Sequence, residues 1–265
     1  MFFRLTSWEL GLLIFAVVVG GTALGLGIGW YLRRHSETLR EPFGVLQAAL
    51  LGLVGLILAF ALSLAVGRYE DRRAAVVSEA NAIGTTYLRA ETLAEPVRSR
   101  SLRLLRRYTD TSIRLSEGIP GSAEASVTLA ASSALQRHLW RLAGRALNEA
   151  PVASAPRLYV DSLNEMFDAQ TTRVATLNNR VPNPILVLEI AAATVALGLL
   201  AIYMSMLGRG VVTVVFASIL VTALLLVTFD LDRPTRGLIT VPDAALKGVR
   251  ATMLPQPAAT GPSSP

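Results

Sequence analysis

Four long apolar runs, separated by polar segments of very unequal length, dominate the pattern of hydrophobic and polar positions. They cover residues 8–32, 45–66, 185–207 and 211–229. Each is long enough to cross a bilayer, because a helix needs about 20 apolar residues to do so. Lipid offers the backbone no hydrogen-bond partners, so a spanning segment of this kind is helical. The pattern predicts an all-α integral membrane protein with four transmembrane helices.

The polar segment between the second and third runs is the largest, and its apolar positions recur at helical spacing. No stretch alternates at period two for long enough to predict a strand. We expect helices from the second run to about residue 94, over 98–115, from a cap at Ser122 to about 149, and over 157–180. One amphipathic face of the last helix carries Tyr159, Leu163, Met166, Phe167, Val174 and Leu177.

These patterns divide the chain into five parts. They are a first transmembrane hairpin (1–66), a helical cytoplasmic domain (67–184), a second transmembrane hairpin (185–229), a cytoplasmic C-terminal segment (230–254) and a disordered, proline-rich tail (255–265).

Arginines near the ends of the runs bear on the orientation of the chain. Four spans place both termini and the helical domain on one side of the membrane. That side has Arg4, Arg68, Arg72, Arg73, Arg180, Arg233 and Arg236, against Arg33, Arg34, Arg40 and Arg209 on the other. The majority favours cytoplasmic termini, although the pair Arg33 and Arg34 points the other way for the first hairpin. A signal peptide fits the first run poorly, because that run is long and has no small-residue cleavage site.

Composition agrees with a membrane protein and excludes several functional classes. The chain is 52% hydrophobic and 17% charged, whereas soluble domains carry roughly 25% charge, and its mean hydropathy is +0.48. The absence of cysteine excludes disulfides and thiolate chemistry, and two histidines offer little for a zinc site. Enzyme signatures such as a P-loop, G-x-S-x-G or H-E-x-x-H are missing, so we expect no enzyme, cofactor or metal.

The net charge of +6 is concentrated in arginine. Residues 67–184 carry 16 arginines against 12 acidic residues, and the density is highest over 98–107. Such a patch could contact anionic lipid headgroups or line an anion path, or could be a solvated face paired with Glu91, Glu95 and Asp110. Nucleic-acid binding is not expected, since no recognition motif accompanies the charge.

Small residues recur every four positions in the first two spans. Gly21, Gly25 and Gly29 form one such series, and Gly55, Ala59, Ser63 and Gly67 form the other. Series of this kind let helix backbones approach closely, or could leave a thin wall beside a permeation path. The other side of the second span carries Leu53, Leu56, Ile57, Phe60 and Leu64. These side chains would form an apolar constriction around a symmetry axis and would otherwise face lipid or neighbouring helices.

Charged residues at the ends of the second and fourth spans should meet at one membrane face. Asp230 and Asp232 are then placed to pair with arginines of the segment Arg68, Tyr69, Arg72 and Arg73, which would clasp the helical domain to the membrane helices. Glu189 is the one charge well inside a span. An intramembrane carboxylate is a functional candidate, but an arginine partner such as Arg68 or Arg72 would make it structural.

Motifs in two regions of the chain, one after the second span and one after the fourth, resemble those of a known family. Residues 62–73 (LSLAVGRYEDRR), 79–85 (EANAIGT) and 87–89 (YLR), with 230–234 (DLDRP), Gly237, Val241 and Pro242, resemble the bacterial bestrophin-like domain family over nearly the whole chain. The tryptophan pair and the phenylalanine that true bestrophins carry in these motifs are missing here. No acidic cluster matches a calcium site.

The resemblance implies a fold, an assembly and a function. It implies a homo-pentamer in the bacterial inner membrane, with the second span of each copy lining a central ion path, usually for anions. Leu56, Phe60 and Leu64 lie in the region of the apolar neck. Alternatives are a non-conducting, membrane-anchored scaffold or sensor, and a motor-type proton channel subunit, which shares the four-span layout but would need a partner with an intramembrane carboxylate.

Overall fold

The computed structural model describes residues 7–33, 40–208, 210–233, 235 and 237–253. Every regular element in this part of the chain is an α-helix. These elements are α1 (Ser7–Arg33), α2 (Arg40–Glu91), α3 (Val97–Glu117), α4 (Ala123–Glu149), α5 (Ser154–Asn178), α6 (Asn183–Met206), α7 (Val211–Leu231) and α8 (Ala244–Thr252). Four helical segments, whose apolar stretches lie in α1, α2, α6 and α7, are long and apolar enough to cross a membrane. The predicted all-α membrane class with four spans is confirmed.

Several residues used in the sequence predictions lie outside the described residues. They are Arg4, Arg34, Arg209, Pro234, Arg236 and the tail 255–265, and Arg40 is described by its backbone alone.

The chain forms two compact units. Among the described residues, a membrane unit comprises those between 7 and 69 and between 180 and 240, and a helical unit comprises 70–179 and 241–253. Helix α2 contributes its first part to the membrane unit and its second part to the helical unit. The sequence analysis placed the boundaries of the cytoplasmic domain after residues 66 and 184, where the chain was expected to leave and re-enter the membrane. Those two boundaries stay predictions.

Helix α1 packs against α6 through its glycine series. A Cβ added to Gly21 would overlap the Thr194 side chain, and a Cβ on Gly25 would overlap the Gly198 carbonyl oxygen. A Cβ on Gly29 would lie 2.5 Å from the carbonyl oxygen of Ile202. Of the two interpretations of this series, close helix packing is the one that fits these contacts.

Gly25→Leu is therefore expected to destabilise the membrane unit, because the new side chain would meet the backbone of α6. Overpacking of this kind costs about 1–3 kcal/mol, and thermal unfolding in detergent measures it. Gly27→Leu is the matched control, since no atom lies within 4 Å of the position of its Cβ. Equal losses from the two variants would contradict the packing of α1 on α6.

The helical unit has a continuous apolar core. Tyr108, Leu139, Leu163 and Met166 are fully buried in it, which joins α3, α4 and α5. Helix α4 begins as predicted, because Ser122 accepts a hydrogen bond from the Ala125 amide (3.0 Å). Burial and the nearby Glu79 carboxylate raise the pKa of the Tyr108 phenol, so that this hydroxyl stays neutral at any physiological pH.

Helix α8 has no counterpart in the sequence predictions, which left residues 230–254 without an element. Its Leu246 is fully buried in the core of the helical unit. Arg250 pairs with Asp110 of α3 (2.6 Å), and the Tyr87 hydroxyl donates to the Met253 carbonyl (3.3 Å). The helix is short, and packing and these polar contacts stabilise it more than its own propensity does.

Candidate pore, junction and ion-pair residues

The part of α2 in the membrane unit buries only one narrow side. Val54, Leu58 and Ala65 are buried there. The three residues predicted to line a pore point elsewhere: Leu56 is 55% exposed, Phe60 63% and Leu64 62%. Their spacing of four residues places them along one side of the helix. A single chain thus leaves these three large apolar side chains uncovered.

The small residues of α2 differ from those of α1 in their surroundings. A Cβ added to Gly52, Gly55 or Gly67 would have no heavy atom within 4 Å. Ala59 and Ser63 are likewise exposed. Gly21, Gly25 and Gly29 of α1 are packed against α6, whereas the small-residue series of α2 has no packing partner among the described residues.

At the end of the fourth span, two aspartates organise the local backbone. Asp232, which is buried, lies 3.9 Å from Arg68 (Nη1 to Oδ1) and accepts a hydrogen bond from the Val181 amide (3.0 Å). Asp230 accepts one from the Ile239 amide (2.8 Å). A Cβ on Gly237 would lie 2.8 Å from the Asp230 carboxylate, which explains why a glycine stands there. Arg68, Asp230 and Asp232 are all in the membrane unit.

The remaining residues of the predicted clasp have partners of their own. Arg72 is buried and donates to the carbonyls of Thr176 (3.3 Å) and Asn179 (2.8 Å). Arg73 lies on the exposed side of α2, 3.6 Å from Glu70, and Tyr69 is half-buried. The idea that these residues clasp the helical domain to the membrane helices stays a prediction.

Glu189 lies on α6 in the membrane unit and is 6% exposed. Its Oε2 atom is buried without a hydrogen-bond partner among the described residues. Arg68 and Asp232 are the charged groups that act on it electrostatically. The sequence predicted Arg68 or Arg72 as the partner of Glu189. Arg68 is the one that lies in the same unit as Glu189 and interacts with it electrostatically.

Asp232→Ala should lower the stability of the membrane unit, because it removes the acceptor of the Val181 amide and the partner of Arg68. A buried donor left unsatisfied costs about 1–3 kcal/mol, which thermal unfolding in detergent detects. Asp232→Asn keeps an acceptor oxygen and should cost less. Asp71→Ala removes an exposed carboxylate of α2 and serves as the control. An Asp232→Ala protein as stable as the control would contradict this role.

A buried ion pair lies at the centre of the helical unit, and the sequence analysis did not single it out. Glu79 of α2 and Arg173 of α5 are in direct contact and fully buried. Ser112 donates to the other Glu79 oxygen (2.8 Å), while Arg173 donates to the Ser112 carbonyl (3.0 Å) and the Ser116 hydroxyl (2.6 Å). The pair ties α2, α3 and α5 together.

The spacing of charged residues could have revealed this pair. Glu79 falls on the buried side of α2 between Val76 and Ile83. In α5, the buried positions are Pro156, Tyr159, Ser162, Leu163, Met166, Gln170, Arg173 and Leu177. Of the predicted face, Phe167 and Val174 are half-buried, and Phe167 packs against the core. The prediction left out Gln170 and Arg173, which are buried. An acid and a base on two apolar faces indicate a buried partner for each.

Within the described ranges, no group of three or more His, Asp or Glu side chains could hold a metal ion. The candidate features are the exposed apolar side of α2, the contacts of Arg68, Asp230 and Asp232 in the membrane unit, and the buried ion pair of the helical unit.

A comparison with known protein families identifies the family of this chain. The model of the bestrophin-like domain matches residues 13–246. The chain belongs to the bestrophin-like family. The resemblance carried by residues 62–89 and 230–242 is thereby confirmed. No curated protein matches the sequence.

Solved structures of bestrophin homologs share the fold of this bestrophin-like protein. A bacterial bestrophin homolog from Klebsiella pneumoniae has a TM-score of 0.65 at 14% identity, covering 89% of this chain and 97% of that one. A point variant of the same homolog gives a TM-score of 0.67 at 16% identity, with coverage of 91% and 96%. A further structure, described only as a membrane protein, gives 0.64 at 17% identity, with coverage of 91% and 94%.

Proposed function

We propose that this bestrophin-like protein is the subunit of a homo-oligomeric ion channel whose central path is lined by α2. Leu56, Phe60 and Leu64 would form an apolar neck, where water and ions pass only at a cost. No catalytic step is part of this proposal.

The observation that carries the proposal is the uncovered side of α2. Packing of α1 on α6 occupies the series Gly21, Gly25 and Gly29 within one chain, while a Cβ on Gly52, Gly55 or Gly67 of α2 would meet no heavy atom within 4 Å. Small residues at this spacing suit close approach between copies of the same helix. A ring of α2 helices would bring the apolar side chains of each copy toward a common axis, since a closed ring needs one repeated contact.

Charge favours an anion as the permeant ion. The chain carries 25 basic and 19 acidic residues, a net charge of +6. A positive field raises the local concentration of anions and their rate of entry. By the resemblance to bestrophins, we propose five copies in a bacterial inner membrane, with both termini and the helical unit in the cytoplasm.

A non-conducting scaffold or sensor is the second candidate. The close packing of α1 on α6 stabilises the membrane unit, the buried pair of Glu79 and Arg173 stabilises the helical unit, and neither contact needs a pore. In a scaffold, the free side of α2 would contact lipid, and copies would not converge on it.

Single-cysteine cross-linking distinguishes these functions, because the natural chain has no cysteine. A Leu56→Cys protein in membranes should cross-link into covalent dimers under mild oxidation or with a short bifunctional thiol reagent, because each copy supplies a single thiol. Phe216→Cys, on an exposed position of α7, is the control and should stay monomeric. Equal cross-linking at both positions, or none at Leu56→Cys in an intact oligomer, would contradict an axial α2.

A further inference from the structure

A groove between α3 and α4 of the helical unit gathers arginines from both helices. The two helices are joined by the short segment 118–122, so they run antiparallel side by side. The groove has a volume of about 530 Å³, within the range of small-molecule sites. Its floor includes Leu104 and the buried Leu142.

Five arginines and one histidine line this groove, and no acidic residue does. They are Arg100, Arg103 and Arg107 of α3, and His138, Arg141 and Arg145 of α4. Within each helix the spacing is three and four residues, so each set forms one stripe. The two stripes therefore face the same cavity from opposite walls.

These arginines form no salt bridge with a carboxylate in the part of the chain that the structure describes. The ion pairs of the helical unit use other bases, namely Arg73, Arg98, Arg173, Lys247 and Arg250. In the adjoining stretch of the groove, which Arg107, Arg114 and His138 also line, the acid is Asp110. Arg250 already pairs with that carboxylate at 2.6 Å. The groove thus has no carboxylate in its own lining, and Glu95, just before α3, acts on Arg103 without forming a salt bridge.

All six basic side chains of the groove are exposed to solvent, and like charges gathered at this density repel one another, so a bound polyanion would relieve the repulsion. Guanidinium groups bind phosphate oxygens through two parallel hydrogen bonds, and several converging groups select for several phosphates. A compact anion with two or more phosphoryl groups matches the charge and the donors of the groove.

We propose that the α3–α4 groove binds a small molecule or headgroup carrying two or more phosphoryl groups. Arg103 and Arg107 of one wall and Arg141 and Arg145 of the other hold the phosphoryl oxygens, and Leu104 and Leu142 form the apolar floor. The proposal does not depend on ion conduction, so its test uses binding alone.

Calorimetric titration of the full-length protein in detergent with inorganic tripolyphosphate tests the site. We expect saturable binding that weakens with salt, as screening of charges requires. Arg103→Gln with Arg141→Gln should weaken it by about tenfold or more, since charge-assisted hydrogen bonds from both walls are lost. Removing like charges should not lower the melting temperature, so the variant remains interpretable.

Arg98→Gln with Arg157→Gln is the matched control, because it removes the same charge from residues that do not line the groove. Binding by the control should stay within about twofold of the natural protein, since screened surface charges contribute little at physiological salt. Absence of binding to the natural protein in both arms of the test, or an equal loss in the two variants, would overturn the proposal.

A second arm separates the two sources of the ligand. The natural and variant proteins are placed in nanodiscs of phosphatidylcholine with or without cardiolipin, whose headgroup carries two phosphates, and tripolyphosphate is titrated into each. Competition by cardiolipin that requires Arg103 and Arg141 assigns the groove to a lipid headgroup. Binding that cardiolipin leaves unchanged assigns it to a soluble phosphate compound.

Discussion

Phe60→Ala should raise ion flux through the reconstituted protein by about tenfold, which corresponds to about 1.4 kcal/mol of barrier. Phe60 is the largest of the three proposed neck residues, and it is 63% exposed in the single chain. A narrow apolar ring opposes the entry of water and ions, so a smaller side chain widens and wets it. Flux into liposomes loaded with a chloride-sensitive dye measures the change.

The control for this experiment is Phe216→Ala on α7. It removes the same side chain from a position that is 70% exposed in the single chain, but from a helix that the proposed axis does not involve. Its flux should equal that of the natural protein. A Phe60→Ala protein with unchanged flux, in an oligomer of normal size, would contradict the assignment of Phe60 to the neck.

Arg173→Met should be the most destabilising single substitution in the helical unit. Breaking a buried ion pair on one side costs about 3–5 kcal/mol, because it leaves the other charge buried and uncompensated. Here the uncompensated group is Glu79, which is 0% exposed and keeps only its contact with Ser112. Unfolding by heat or denaturant, followed by circular dichroism in detergent, measures the loss.

Two further variants test whether the destabilisation comes from the buried, uncompensated charge and not from loss of the arginine side chain. Arg73→Met breaks a pair whose side chains are both 56% exposed, and exposed pairs contribute at most about 1 kcal/mol. Glu79→Leu combined with Arg173→Met should recover much of the lost stability, since apolar residues of similar volume often replace a buried pair without cost. If Arg173→Met were no worse than Arg73→Met, the pair would not organise the unit.

Much of the fold could be predicted because membrane spans and helix boundaries have local causes. The four apolar runs give α1, α2, α6 and α7, and Ser122 marks the start of α4 because its hydroxyl can accept an amide hydrogen bond. Helix α8 was missed because nine residues have little intrinsic helix stability. Its formation depends on Leu246 and Arg250 meeting α2 and α3, which local sequence does not reveal.

For the candidate sites too, the sequence predicted the features with local causes but not those that depend on contacts between distant helices. The α1 glycine series predicted close packing, yet only the structure identifies Gly198 and Ile202 of α6 as the partners. Arg68 and Asp232 were placed at one membrane face by topology, and they do pair. Glu79 and Arg173 are 94 residues apart in sequence, so nothing local links them. The groove of arginines depends likewise on α3 and α4 lying side by side.

The most direct test of channel function is a current measurement on the purified, reconstituted protein in a planar bilayer under a chloride gradient. The proposal predicts a steady conductance whose reversal potential lies near the chloride equilibrium potential and which Phe60→Ala increases. An intact oligomer that carries no current across a range of ions and voltages would contradict the proposal and favour the anchored scaffold.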